Sequence, residues 1–226
     1  MLMKRFSIFI LILSSILFVS CSSVSKIQTS KVKPYEIKEL QKFKTISYVE
    51  LIESGNDAVF NDSISKKSEN ALSEALMNYK DKISLKGEII VNDTFLQKQI
   101  ELEISFLYYS IDAQDIFSTL KITPKIDSLL ESKGKRFGLI TIVSGFTRAK
   151  GNYGAQIAKG IGMGIATLGF YSETPIESYS NLCIMIVDSK ENNIAFFRKS
   201  SLKEEEPYDS EVLKKQIFDI FEGYFW

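Results

Sequence analysis

The stretch Leu182–Arg198 reads LCIMIVDSKENNIAFFR, and it decides the fold predicted for this chain. Two apolar runs of strand length, Leu182–Asp188 and Ile194–Arg198, flank the polar residues Lys190–Asn193. A short polar segment between two such runs is typical of a turn, so the stretch predicts an antiparallel hairpin. A further apolar run, FGLITIVSGF at Phe137–Phe146, predicts another strand.

Outside the hairpin, the chain alternates one more strand pattern with several helical patterns. Thr45–Leu51, TISYVEL, alternates apolar and polar residues as a strand does. Capping residues precede apolar residues at helical spacing in four places: Asn61–Ser63, Asp93, Thr123–Pro124, and Asp209 or Ser210. In the second of these segments Ile100, Leu102, Ile104 and Phe106 also alternate as a strand would. The patterns together predict an α+β fold, with helices packed on a mixed, largely antiparallel sheet and a glycine-rich insertion between two strands.

The composition argues against several classes of function. Lys plus Arg equals Asp plus Glu at 28 each, so no net field would draw the chain to nucleic acid. The absence of histidine removes Ser-His-Asp and Cys-His catalysis and the commonest metal ligand. Glu101 and Glu103 point in different directions on a helix and are expected to be solvated, and the run Glu204–Glu206 fits a solvated turn. The sequence therefore predicts a non-enzymatic protein without a metal or other cofactor.

The first 21 residues, MLMKRFSIFILILSSILFVSC, have the layout of an export signal. Lys4 and Arg5 precede the apolar segment Phe6–Val19, whose 14 residues fall short of the roughly 20 needed to span a membrane. The segment resembles the lipobox signal peptide of bacterial lipoproteins. That resemblance implies cleavage before Cys21, a diacylglycerol thioether on its sulfur and a fatty acyl group on its new amino terminus. Cys183 would then have no disulfide partner, and its apolar neighbours predict a buried thiol.

These features predict the organisation and the location of the chain. Residues 1–20 are expected to form the signal peptide, residues 21–42 the lipidated cysteine and a flexible tether, and residues 43–226 a single α+β domain. Serine rather than aspartate follows Cys21, which for lipoproteins of enteric bacteria implies passage to the outer membrane. We expect an outer-membrane lipid-anchored protein of the cell envelope that faces the periplasm.

The insertion Thr147–Ser180 differs in composition from the rest of the chain, because it holds six of the twelve glycines. Four interpretations compete: a phosphate-binding loop, a membrane-active helix with GxxxG spacing, a docking loop for a partner protein or a second copy, and a helix or hairpin that covers the sheet. Lys159 and the short apolar run argue against a membrane span. In the docking interpretation, the possible partner contacts are Tyr153, Gly160, Gly162, Gly164, Phe170 and Tyr171.

The order of these segments resembles the family of the curli-secretion lipoprotein CsgG, whose fold is shared by LpoB and the amino-terminal domain of TolB. The matching segments are GLITIVSGF, the insertion Lys150–Gly169, SNLCIMIVD, the turn KENN, IAFFRKSS, the closing helix and Cys21. The resemblance implies an α/β sandwich facing the periplasm, and in the secretion pores inserted hairpins build a membrane barrel. Two functions follow as expectations: a binding or accessory lipoprotein and, as the alternative, a subunit of a CsgG-like secretion or pore assembly.

Overall fold

A computed structural model describes residues 22–114, 116–168 and 174–226 of the chain. The described part contains five α-helices: α1 Asp62–Met77, α2 Thr94–Gln114, α3 Pro124–Ser132, α4 Asn152–Ala166 and α5 Ser210–Phe221. It also contains nine strands: β1 Ser22–Val24, β2 Gln28–Thr29, β3 Leu40–Lys42, β4 Ile46–Ile52, β5 Ala58–Phe60, β6 Leu85–Glu88, β7 Phe137–Arg148, β8 Ser178–Asp188 and β9 Asn193–Lys203. None of the helices in these ranges is long and apolar enough to cross a membrane.

All nine strands belong to one mixed sheet with β8 near its centre. The predicted hairpin is confirmed, because β8 and β9 pair antiparallel and Asp188 lies opposite Asn193 beside the turn. Strand β7 pairs antiparallel with the other side of β8, and the short strands β3 and β4 both pair parallel with β7. Strands β1 and β2 pair antiparallel with the free edge of β9. The α+β fold with a mixed sheet is therefore confirmed.

Helices cover both faces of this sheet and create two hydrophobic cores. Helices α1 and α5 bury their apolar faces against one side, and α2 and α3 bury theirs against the other. Side chains of a strand point alternately to opposite faces, so Leu182, Ile184 and Ile186 enter the first core. Cys183, Met185 and Val187 enter the second. Burial on both faces explains why β8 is an almost continuous apolar run rather than an alternating one.

The predicted helix starts are confirmed, but α3 is capped by a different residue from the one expected. The carboxylate of Glu103, on α2, accepts hydrogen bonds from the backbone N–H groups of Lys125 at 3.1 Å and Ile126 at 3.3 Å. Thr123, the residue before the helix, makes no side-chain capping bond. The expectation that Glu103 is merely solvated is thus wrong, since it satisfies free donors at the amino terminus of a neighbouring helix.

The acidic run before α5 also differs from its prediction. Glu206 Oε1 accepts a hydrogen bond of 2.9 Å from Thr147 Oγ1, and Glu204 Oε2 accepts one of 2.9 Å from the backbone N–H of Glu177. These residues connect the segment before α5 to β7 and to the start of β8. A solvated turn is therefore the wrong description, because two of its three carboxylates hold other segments in place.

The segment expected to be a flexible tether is part of the fold. Ser22 pairs with Leu202 of β9, and Gln28 pairs with Phe197 of the same strand. Farther along, Val32, Ile37 and Leu40 are at most 5% exposed. Edge strands gain backbone hydrogen bonds from an existing neighbour, so they need few apolar side chains of their own, and this segment lacked the pattern of a core strand. In the described residues, the domain thus begins at Ser22 rather than at residue 43.

Candidate docking surfaces

The glycine-rich insertion is largely helical. Helix α4 begins after Gly151, whose φ of 96° lies in the region that favours glycine, and it contains most of the predicted contact residues. Gly160 is buried, Tyr153 and Gly164 are half-buried, and Gly162 is exposed. Phe170 and Tyr171 lie outside the described residues, as does Cys21. The four described contacts therefore do not form one accessible patch, because Tyr153, Gly160 and Gly164 are buried or half-buried and only Gly162 is exposed.

The opposite side of α4 is apolar and exposed. We call this surface the outer arc of α4, and it consists of Ala158, Ile161, Gly162 and Ile165. Ile161 is 58% exposed and Ile165 is 74% exposed, and no residue of α4 belongs to either hydrophobic core. The interpretation in which the insertion covers the sheet does not fit a helix that contributes no residue to either core and leaves Ile161 and Ile165 exposed.

A polar cluster, which we call the arginine clamp, fixes the base of α4. Arg148 is the last residue of β7, and its guanidinium donates to the carbonyl of Ile176 at 2.8 Å and to the carbonyl of Gly55 at 2.9 Å. It also donates to Oδ1 of Asn152 at 2.8 Å and to Oδ1 of Asn56 at 3.0 Å. One side chain thereby connects β7, the β4–β5 turn, the segment before β8 and the start of α4. The sequence offered no signal for this role, since three of the four partners lie in segments 28 to 93 residues away.

Helix α2 presents a second exposed apolar surface. Its inner face, Ile100, Ile104, Leu107 and Ile111, is buried as predicted. On the opposite face lie four large side chains that we call the outer stripe of α2, 57–71% exposed: Phe95, Leu102, Phe106 and Tyr109. Two apolar faces on one helix explain the strand-like alternation seen in this segment of the sequence. The outer stripe follows the spacing of a coiled-coil seam, with steps of seven, four and three residues.

The buried thiol lies below a small polar cluster. Tyr108 donates to Oδ2 of Asp112 at 3.2 Å, and Lys199 forms an ion pair with the same carboxylate. Cys183 is fully buried, as predicted, and burial raises the pKa of its thiol well above the usual value. Burial and the nearby Asp112 likewise raise the pKa of the Tyr108 hydroxyl. Since a thiolate is the reactive form of cysteine, this environment disfavours nucleophilic chemistry at Cys183.

A cleft with a volume of about 720 Å³ lies at the end of the sheet near the β8–β9 turn. Arg136 lines it but is held by Asp188 through two bonds of 2.8 and 2.7 Å, and Asp188 also accepts from the backbone N–H of Lys190 at 3.1 Å. Asp188 is fully buried, so this bidentate pair braces the turn. In the described ranges, no three side chains of histidine, cysteine, aspartate or glutamate are grouped so that they could hold a metal ion.

No protein-family model and no curated protein matches the chain. Among solved structures, a PelC dodecamer from Paraburkholderia phytofirmans aligns with 7% sequence identity and a TM-score of 0.40, over 88% of this chain and 94% of the PelC chain. A DUF4136 family protein from Bacteroides thetaiotaomicron aligns with 8% identity and a TM-score of 0.31, over 87% of this chain and 94% of that one. These are similarities at low identity, and no function of this chain follows from them.

Proposed function

We propose that this protein is a lipid-anchored lipoprotein of the bacterial cell envelope that acts by binding another protein rather than by catalysis. The observation that carries the binding function is the outer stripe of α2. Four large apolar side chains at 57–71% exposure form a continuous face on a helix whose other side is already used by the core. Such contiguous exposed apolar surface is typical of an interaction site.

The partner that fits this stripe is a second copy of the chain. The stripe repeats at heptad spacing, so two such helices can pack side by side with their stripes in contact. Lys98 and Asp112 flank Ser105 at equal distances along α2, seven residues on either side. In an antiparallel pair centred on Ser105, Lys98 of one copy therefore lies opposite Asp112 of the other. Asp112 already contacts Tyr108 and Lys199 of its own chain, so Lys98 of the second copy would join that cluster, and the opposite charges favour this register.

The surroundings of the side chains that could act in catalysis support binding instead. Cys183 is buried with a raised thiol pKa, Asp188 is engaged by Arg136, and Glu103 caps α3. Each of these groups has a structural partner or lacks access to substrate. The absence of histidine further removes the commonest general base.

The lipid anchor is proposed from the lipobox-like segment that ends at Cys21. The test is Cys21→Ala, which should release the protein from the membrane fraction of its host. Serine after Cys21 favours the outer membrane, so separation of inner and outer membranes should recover the wild-type protein with the outer one. Unchanged partitioning of the Cys21→Ala protein would remove the basis for the anchor.

Self-association is tested by the molar mass of the purified lipidated protein in detergent. The wild-type protein should be a dimer, and Leu102→Glu or Phe106→Glu should be monomeric because each places a charge in the centre of the seam. Met77→Glu is the matched control, since Met77 is a 55% exposed apolar residue on α1, away from the stripe. A monomeric wild-type protein, or a Leu102→Glu protein that stays dimeric, contradicts the proposal.

The alternative function, a subunit of a CsgG-like secretion or pore assembly, stays a prediction. The inserted hairpins that the resemblance implies would be strands, whereas Asn152–Ala166 of the insertion is a helix. A size well above a dimer in the same detergent measurement would favour that alternative.

A further inference from the structure

We propose that α4 is a second membrane contact, which lies in the headgroup region of the bilayer with its outer arc toward the acyl chains. The inference rests on the proposed anchor at Cys21 and adds a lipid-binding surface to it. The occupant of the arc is a lipid surface, for three reasons: where the chain enters the fold, what the arc is made of, and how α4 is held.

The first reason is the position of the anchor relative to α4. The chain enters β1 at Ser22, which pairs with Leu202; Leu202 pairs with Ser180, and Ser180 pairs with Gly145. Ser22 thus shares a row of the sheet with Gly145, three residues before the end of β7. At 3.3 Å per residue, that row is about 10 Å from the strand end where α4 begins. Ser22 and α4 therefore belong to the same end of the sheet.

Because no tether separates the anchor from the fold, the shared end of the sheet determines which surface faces the membrane. Because β1 begins directly after residue 21, an acylated Cys21 leaves no spacer between the lipid and the folded domain. A flexible linker of twenty residues would have allowed the domain to sit about 25 Å from the anchor and to turn freely. With no linker, the end of the sheet that carries α4 is held against the headgroups.

The second reason is the chemistry of the outer arc. Ala158, Ile161, Gly162 and Ile165 are all apolar or lack a side chain, and each is exposed. Leu168, just after the helix, is 89% exposed. Lys159 is the only charged residue between Asn152 and Leu168, and its long stem can carry the ammonium group to the water side. An apolar surface of this kind fits the boundary between headgroups and acyl chains, in which interfacial helices lie.

The third reason is the way in which α4 is attached. The arginine clamp fixes the amino-terminal end of α4 through polar contacts of 2.8–3.0 Å, and neither hydrophobic core includes any of its residues. The arc therefore has a defined direction but is not buried by the described part of its own chain. Its fifteen residues correspond to a length of about 22 Å, too short to span a bilayer but sufficient to lie along it.

The experiment measures lipid contact at single labelled positions of the acylated full-length protein in phosphatidylethanolamine and phosphatidylglycerol vesicles. Ile165→Cys carries an environment-sensitive fluorophore on the outer arc. Glu191→Cys, an exposed position in the β8–β9 turn at the opposite end of the sheet, is the matched control. Labelling is specific, because Cys21 is acylated and the only described native cysteine, Cys183, is buried.

Spin-labelled lipid should quench the fluorophore at position 165 at least twofold more than the fluorophore at position 191. Equal quenching in vesicle-bound protein overturns the inference while leaving the anchor intact. A fluorophore at position 165 that is shielded from water but not quenched by lipid also overturns it, because a protein surface then covers the arc. A separate outcome concerns the anchor. If protein with an intact Cys21 is not acylated and does not sediment with vesicles, the proposed anchor is overturned, and the inference is overturned with it.

Discussion

Helices α4 and α5 have similar apolar spacing and opposite surroundings. In α5, Leu213, Ile217 and Ile220 are fully buried against the sheet. In α4, Ile161 and Ile165 are 58% and 74% exposed, and the helix is held at its base by polar contacts instead. The apolar side of α5 is covered by the fold, whereas α4 needs a surface from outside the chain. Periodicity thus identifies the side of a helix that requires cover, but it does not identify what covers it.

The largest expected effect is on α5, the buried helix of the two. Ile217→Ala removes three carbons from a fully buried position and should lower the free energy of unfolding by about 3 kcal/mol. Urea unfolding followed by circular dichroism measures it. A loss of less than about 1 kcal/mol would show that α5 is not a core helix of the kind described.

The attachment of α4 is broken by Arg148→Ala. The substitution removes four hydrogen bonds and leaves the partly buried carbonyl of Ile176 without its donor, so we expect a loss of about 2 kcal/mol. Hydrogen exchange should accelerate mainly in α4 and in the β4–β5 turn. Arg148→Lys keeps the charge but not the planar fork, and it should recover less than half of the loss. Exchange that rises evenly over the whole sheet would contradict a local clamp.

The segment that leads into α5 contains a titratable group, the Glu206 carboxyl, which is hydrogen-bonded to Thr147. Burial raises the pKa of the Glu206 carboxyl, although the hydrogen bond from Thr147 opposes this. The folded state therefore favours the neutral carboxyl of Glu206. The stability that this group contributes is fully present below the pKa that it has in the unfolded chain. It is lost as pH rises through the higher pKa that it has in the folded protein.

Glu206→Gln should consequently stabilise the protein at pH 7, and the gain should vanish below about pH 4. The effect should not exceed about 0.5 kcal/mol, because solvent screens a half-exposed group. Thermal unfolding at several pH values measures the difference between variant and wild type. A variant that is less stable at pH 7 would mean that the ionised carboxylate is the favoured partner of Thr147.

The smallest expected effect is on α4, the exposed helix of the two. Ile165→Ala on α4 removes an exposed side chain and should change the free energy of unfolding by less than about 0.5 kcal/mol. Urea unfolding of the detergent-solubilised protein, beside Ile217→Ala, gives the matched pair. A cost comparable to that of Ile217→Ala would show that α4 is packed against its own domain.

The residues that sequence patterns predicted correctly are those whose partners are adjacent in the chain. The hairpin around Lys190–Asn193 and the cap at Asp209 depend on contacts within a few residues, and both are confirmed. Cys183 was predicted to be buried from its apolar neighbours alone. In contrast, the capping of α3 by Glu103 joins groups that are 22 and 23 residues apart, and no local pattern signals it.

The candidate surfaces show the same division. The composition of the insertion singled out residues 147–180, and helix α4 lies within that range. Which of its sides is exposed, and the clamp at Arg148, could not be read from the sequence because the clamp joins groups 92 and 93 residues apart. The outer stripe of α2 was hidden for another reason: its residues interleave with those of the buried face, so the two stripes together imitate a strand.

By itself, the sequence determined the α+β class, four of the nine strands, four of the five helices, the central hairpin and the burial of Cys183, because local periodicity and capping specify such features. Only the tertiary structure decided that residues 22–42 are woven into the sheet, since edge strands take their stabilisation from backbone groups of a distant neighbour. The tertiary structure also decided which helix faces remain uncovered. Exposure depends on how much of each apolar face the sheet can bury, and this sheet covers one side of α5, one side of α2 and none of the outer arc of α4.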